Sequence, residues 1–303
     1  PGRLDMMALL LTTDLLAEGV HFDLATSSCE DIGYRAAIAN LSDIAAMGGT
    51  PRFMLVAIAI PSTCSTTQIQ QLYRGMMQAS APYQVCLVGG DTSASKHGLF
   101  LSITLTGVVR PGHALLRSEA RVGDRLYVTG TLGDSRAGLG LLSSRRQHSF
   151  ASTHRRFLLA RHHRPSARIA EGQWLVKHGL SEAAIDLSDG LTGDLRHICE
   201  HSHVGADVLA DALPISPACR AYAAARRIAP QELALQGGED YELLFTVPAD
   251  RQARFDRLAG NTTFRFTCIG TITPKRSGLR LRTQQGLTGA LPLISYEHFR
   301  RPS

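Results

Sequence analysis

Apolar residues fall in short runs bounded by Gly, Pro or Asp. The segments 8–13, 53–60, 84–88 and 100–109 are continuous or alternate with polar residues, as β-strands do. Between them, 31–47 and 66–81 carry apolar positions at helical spacing. A second series follows the break at Arg110-Pro111-Gly112: strands over 125–129, 183–185, 241–247, 264–272 and 279–282, and helices over 134–142, 166–178, 192–201 and 249–258. Strands alternating with helices predict an α/β or mixed α+β layer architecture. With 303 residues the chain divides more naturally into two domains, 1–112 and 113–303, than around one core.

Composition narrows the classes. Apolar residues at 44% and charged residues at 19% describe a folded globular chain rather than a disordered one. The longest early apolar run, 6–11, is far short of the ~20 residues of a membrane-spanning helix. Asp14 and Glu18 follow it, so neither a membrane segment nor a secretory signal is expected. The six cysteines lie far apart with no C-x-x-C pair, which fits reduced thiols and a cytoplasmic setting. The net charge of +6 comes almost wholly from Arg, since Lys96, Lys177 and Lys275 are the only lysines. Seven arginines (145, 146, 155, 156, 161, 164 and 168) crowd one stretch, but no nucleic-acid-binding signature accompanies them. A solvated linker and helix face is the expectation there, without a nucleic-acid partner.

Four segments end an apolar run in a polar cluster containing Asp: Thr12-Thr13-Asp14, Asn40-Leu41-Ser42-Asp43, Gly89-Gly90-Asp91-Thr92 and Asp186-Leu187-Ser188-Asp189-Gly190. Strand ends border the ligand crevice in α/β layers, and short carboxylates there are set to converge. Mg2+ takes oxygen ligands and bridges carboxylates to substrate phosphates, so several such ions would neutralise a polyphosphate without a lysine. Each cluster alone reads as a helix cap or turn; four together point to a metal–nucleotide site. Gly89-Gly90 and Gly237-Gly238 read equally as turn glycines or as backbone that lets N–H groups approach a phosphate. No phosphate-loop, dinucleotide, zinc-protease or serine-hydrolase motif is present in the sequence.

The segments TTDLLAEGVHF (12–22), IGYRAAIANLSDIAAMG (32–48), VGGDTS (88–93), LRSEARVGDRLYVTGTLGDSRAG (116–138), RPSARI (164–169), AIDLSDGLTGDLRHI (184–198), ALPIS (212–216), GGEDYELLFTV (237–247) and SYEHF (295–299) resemble, in order and spacing, the bacterial thiamine-monophosphate kinase family. NLSDIAAMG and GGDT are shared more loosely with the aminoimidazole-ribonucleotide synthetase-like enzymes.

The resemblance implies a two-domain fold of that superfamily, dimeric through the N-terminal domains, with ATP in a cleft between domains. It implies ATP- and Mg2+-dependent conversion of thiamine monophosphate to thiamine diphosphate without a phosphoenzyme. Position by position, Thr12, Thr13, Asp14, Asp43, Asp91, Asp186 and Asp189 match metal-binding positions. Gly90, Asp91, Arg117 and Ser188 match ATP contacts, and His21, Glu239 and Tyr296 match substrate contacts. Turnover is expected to depend on Asp14, Asp91 and Arg117. The family also carries an upstream Gly-Asp-Asp stretch whose Asp joins the metal site; this sequence opens at Pro1, downstream of it, and Arg3-Leu4-Asp5 does not replace it. A truncated start is the expectation. The competing readings are another ATP-using enzyme of the superfamily, a nucleotide-binding paralogue without turnover, and an RNA-associated protein.

Overall fold

The computed structural model describes residues 6–143, 151–283, 286 and 288–292. By its contacts the chain forms two compact units, 1–114 with 163–174, and 115–162 with 175–303. The segment 163–174 thus packs with the first unit although it lies beyond residue 112.

In the first unit, β1 (Ala8–Ala17), α1 (Cys29–Ala46), β2 (Thr50–Pro61), α2 (Thr66–Ser80), β3 (Cys86–Ser95) and β4 (Phe100–Val109) follow in order. Among the described residues the strands form a sheet in the order β1-β4-β2-β3, antiparallel except for the β2–β3 pair. β4 alternates along its whole length, with Leu101, Ile103 and Leu105 buried and Ser102, Thr104 and Thr106 partly exposed, which is why its bounds were legible. Two other strands run on through polar clusters read as strand ends: β1 passes through Thr12 to Asp14, and β3 through Gly89 to Thr92. Backbone pairing along the full register carries them, and it offsets the low strand preference of Asp and Gly.

Helix α1 starts at Ser28, whose side chain accepts from the Asp31 amide at 3.1 Å, and Glu30 and Asp31 favour its positive end. Helix α2 starts with a capping box between Ser65 and Gln68. The two helices meet at a pair of glycines: a Cβ on Gly33 would lie 2.0 Å from the Leu72 carbonyl oxygen, and one on Gly75 would lie 1.8 Å from that of Glu30. Only residues without a Cβ allow this backbone-to-backbone approach. Arg164 is bound to the same helices through Asp31 (2.6 Å), Glu30 (2.9 Å) and Gln78 (3.0 Å).

The second unit contains β5 (Arg125–Thr129), α3 (Asp134–Leu142), α4 (Ser152–His163), the C-terminal end of α5 (Ile169–Lys177), β6 (Ala184–Asp186), α6 (Leu191–His201), β7 (Val204–Leu209), α7 (Pro217–Arg226), α8 (Pro230–Gln236), β8 (Leu243–Val247), α9 (Gln252–Ala259), β9 (Phe266–Pro274), β10 (Leu279–Arg282) and β11 (Thr288–Ala290). Among the described residues its sheet runs β11-β10-β7-β9-β5-β8-β6. Leu126, Val128, Leu195, Ile198, Val208 and Leu244 belong to one apolar core between sheet and helices. No helix among the described residues is long and apolar enough to cross a membrane.

Candidate active site

In the first unit the alternation of β1 turns Leu10, Thr12, Asp14 and Leu16 to one face and Leu9, Leu11, Thr13 and Leu15 to the other. Asp43 belongs to the last turn of α1 rather than to a strand end. The Thr12 hydroxyl donates to the Asp43 carboxylate, and Asp14 lies close enough for the Asp43 charge to act on it. Burial first, and Asp43 second, push the Asp14 carboxyl up to about 6. Its Oδ2 is buried with no hydrogen-bond partner. A hydroxyl and two mutually repelling carboxylates, with one oxygen unsatisfied, suit a hard divalent cation, whose charge offsets both the repulsion and the desolvation. Among the described residues no three His, Cys, Asp or Glu side chains are grouped closely enough to hold a metal by themselves. An ion here would therefore draw its remaining oxygens from water or from a substrate phosphate.

The chain does not bring Asp91 to this cluster. Asp14 pairs across the sheet with Ile103, Val56 and Gly90, whereas Asp91 pairs with Ala57, Ser102 and Leu15. Asp91 and Thr13 thus face the side opposite Asp14. Asp14 and Asp91 also stand on the two edge strands, three strand spacings or about 14 Å apart. Bonds of ~2.0–2.1 Å leave no room for one ion to bridge them within the chain. Gly90 has a local reason to be Gly, because a Cβ there would lie 1.8 Å from the Val56 carbonyl oxygen. His21 accepts the Ala17 amide at Nδ1 (3.0 Å), which leaves Nε2 as the ring's donor, and its carbonyl accepts from the Arg35 guanidinium.

In the second unit two sequence-distant segments are joined. Asp186 ends β6, and the Leu187-Ser188-Asp189-Gly190 loop leads into α6. Leu187 N donates to Glu242 O at 2.8 Å, Glu239 N to Ser188 O at 2.8 Å and Tyr241 N to Leu187 O at 3.0 Å. The segment carrying DLSDG and the segment carrying GGEDYE are therefore zipped by backbone bonds. A Cβ on Gly238 would lie 2.5 Å from the Ser188 carbonyl oxygen, so this glycine serves close backbone packing.

Asp194, which the sequence reading did not single out, holds the loop from beneath. It is buried, accepts from the amides of Asp189 (3.2 Å) and Gly190, and has its pKa raised well above the usual range by burial, then by Asp186 and Asp189. Arg117 is fixed at its carbonyl by the Ser202 hydroxyl (2.7 Å) just past α6. On α6, His197 has its pKa lowered by burial first and then by the Arg117 charge. His162, Asp240 and Glu242, buried, and Arg161, expected from the sequence on a solvated face but only 14% exposed, form the footing of the Glu239 segment. Two further acids inside GGEDYEL were the only sequence signal of it. Tyr296 lies outside the described residues.

Comparison with known proteins matches residues 3–109 to the family AIR synthase related protein, N-terminal domain, and 121–282 to AIR synthase related protein, C-terminal domain. Thiamine-monophosphate kinase of Escherichia coli K12 is 38% identical over 301 residues, covering 98% of this chain and 89% of the relative. That of Bacillus subtilis 168 is 36% identical over 294 residues, covering 96% and 88%. The solved structure of AaThiL complexed with AMPPCP and TMP has a TM-score of 0.84 at 34% identity and covers 97% of this chain and 88% of that one. Hydrogenase maturation protein HypE in complex with ATP, at 21% identity and a TM-score of 0.77, shares the fold. Two AIR synthase related domains in sequence, with this identity over nearly the whole length, make the chain a member of the thiamine-monophosphate kinase family.

Proposed function

We propose that this protein transfers the γ-phosphoryl group of ATP to thiamine monophosphate, giving thiamine diphosphate and ADP, with Mg2+ as the required ion. A phosphate oxygen of thiamine monophosphate forms the bond to the γ-phosphorus, and the bond to the β–γ bridging oxygen breaks, leaving its electron pair on ADP. The attacking oxygen is already anionic, so the protein's work is to align two anions and offset their charge rather than to remove a proton. The observation carrying most weight is that a 34%-identical structure of the same fold holds both AMPPCP, an ATP analogue, and TMP. The zipped loops of the second unit support it, since they tie the proposed nucleotide and metal residues Asp186, Ser188 and Asp189 to the proposed acceptor contact Glu239.

When bound, Mg2+ supplies electrostatic stabilisation of the phosphate charge. Thr12, Asp14 and Asp43 would hold one ion on the inner face of the first sheet; Thr13 and Asp91, on its other face but on opposite edge strands, would each serve a different ion. Gly90 and Asp91 are assigned to ATP, together with Arg117, whose fork suits phosphate. His21 is assigned to the acceptor as a neutral Nε2–H donor, and Tyr296 is proposed as a further acceptor contact. The experiment is incubation with magnesium, ATP and thiamine monophosphate. Thiamine diphosphate should form in proportion to ADP, and magnesium removal should stop it. ATP binding without product would favour the paralogue reading, and salt-sensitive RNA binding with no ATP-dependent thermal shift would favour the nucleic-acid one.

A homodimer through the N-terminal domain, 1–112, and a cytoplasmic setting are part of the same proposal. The outer face of the first sheet exposes Leu9 (71%), Leu11 (66%) and Leu15 (56%) on β1 and Phe53 (52%) and Leu55 (44%) on β2, with Thr104 and Thr106 of β4 between them. Several exposed apolar side chains gathered on one sheet face are characteristic of an interaction surface. Sedimentation equilibrium should give a dimer mass that Leu11→Arg lowers to that of a monomer; a monomeric parent protein would remove the dimer from the proposal.

A further inference from the structure

We infer that the last turn of α4 is the footing of the acceptor-binding segment, and that His162 positions the Glu239 carboxylate for its substrate. The inference rests on the reading of Glu239 as a contact to thiamine monophosphate.

Glu239 and Tyr241 both adopt left-handed backbone conformations, with φ of 62° and 52°, which non-glycine residues keep only where surrounding structure imposes them. The imposing groups come from three places. Asp240, buried, accepts from the Gly133 amide at 2.6 Å and the Ser135 amide at 3.1 Å, binding the segment to the start of α3. Glu242, also buried, accepts from the Thr129 hydroxyl at 2.5 Å and the Arg161 guanidinium at 2.7 Å. Arg161 also donates to the Asp240 carbonyl at 3.5 Å. The backbone on either side of Glu239 is thus over-determined from below, by Arg161 of α4 among others.

Against this fixed backbone the Glu239 side chain is the open member, with 29% of it exposed. His162, next to Arg161, has a side chain only 4% exposed, and its Nδ1 lies 3.6 Å from Glu239 Oε2. The same Nδ1 is 3.1 Å from the Ser135 hydroxyl, so the ring is held by a neighbour on α3 while it faces the carboxylate. A buried ring nitrogen seated beside a half-open carboxylate restricts where that carboxylate can stand, which is the supporting role that precise ligand contacts require. The Arg-rich stretch read from the sequence as a solvated face is therefore divided: Arg155 and Arg156 are exposed, whereas Arg161 and His162 turn inward to the acceptor segment.

The test is calorimetric titration of the full chain with thiamine monophosphate and, separately, with AMPPCP. His162→Leu should weaken thiamine monophosphate at least about tenfold, as a misplaced contact group does, and leave AMPPCP affinity and melting temperature near the parent values. His162→Asn, whose amide donor stands near the position of Nδ1, should restore most of the loss. Should His162→Leu not fold, His162→Gln, which displaces the donor by one bond, is expected to show the same selective weakening. Parent-like thiamine monophosphate binding in a folded His162→Leu or His162→Gln protein would overturn the inference, as would equal loss for both ligands. Glu239→Gln separates the two ideas: if it leaves thiamine monophosphate binding unchanged, the assignment of Glu239 to the substrate fails; if it weakens binding while His162 variants do not, the positioning role alone fails.

Discussion

Asp14→Asn is expected to lower turnover by at least about a hundredfold and, without divalent metal, to make the fold more stable. A bound ion supplies several kcal/mol of charge stabilisation to a reacting phosphate, and each ~1.4 kcal/mol is a factor of ten in rate. The stability change has the opposite sign because the Asp14 carboxyl, raised to about 6 by burial and by Asp43, is strained when ionised. Between roughly pH 4 and pH 6 the folded state binds more protons at this site than the unfolded state, so stability falls as pH rises through that window. At pH 7 the full penalty is present, on the order of 3 kcal/mol; asparagine carries none of it. The stability difference between variant and parent, from urea unfolding in chelator, should therefore be largest near pH 7 and vanish towards pH 4. A variant that keeps its turnover would remove Asp14 from the metal site, and one destabilised at pH 7 would contradict the electrostatic account.

Arg161→Ala is expected to cost about 3–5 kcal/mol of stability, the usual result of leaving one member of a buried ion pair behind. Glu242 has no exposed side-chain surface, and Arg161 retains only 14%. Asp134, likewise fully buried, lies 3.8 Å from the same guanidinium, and its pKa is already raised by burial, which Arg161 opposes. Removing the cation strands both acids. Joint replacement, Arg161→Met with Glu242→Gln, should recover part of the loss, because the uncompensated charge rather than the missing bond is the larger penalty. Denaturant unfolding of the three proteins decides it: a loss below about 1 kcal/mol in Arg161→Ala would mean that Glu242 is neutral in the parent or finds water.

The alternating run 100–109 is strand β4 at those bounds, because period-two patterning with β-branched residues specifies a half-covered strand locally; 125–129 and 279–282 are likewise β5, whose Leu126 to Thr129 are all buried, and β10. The helix over 66–81 is α2, fixed at its start by Ser65 and Gln68. The stretch 204–236 was not read, although Ser216 followed by Pro217 is a helix-start signal for α7. In the site, the polar clusters were visible but their setting was not: Thr12 to Asp14 and Gly90-Asp91 continue strands, and Asp43 is inside a helix.

Sequence by itself determined the family, the alternation of strands and helices, and the carboxylates available to a cation, because local patterning and motif spacing are written in neighbouring residues. Tertiary structure alone decided that Asp14 joins Asp43 while Asp91 stands about 14 Å away on the other face, since pairing register across strands sets which positions share a side. It also decided that Glu239 is supported by Arg161 and His162, some eighty residues earlier. Burial creates those partnerships: a charged group taken out of water must find its counterpart wherever the fold supplies one, and linear order carries no record of that choice.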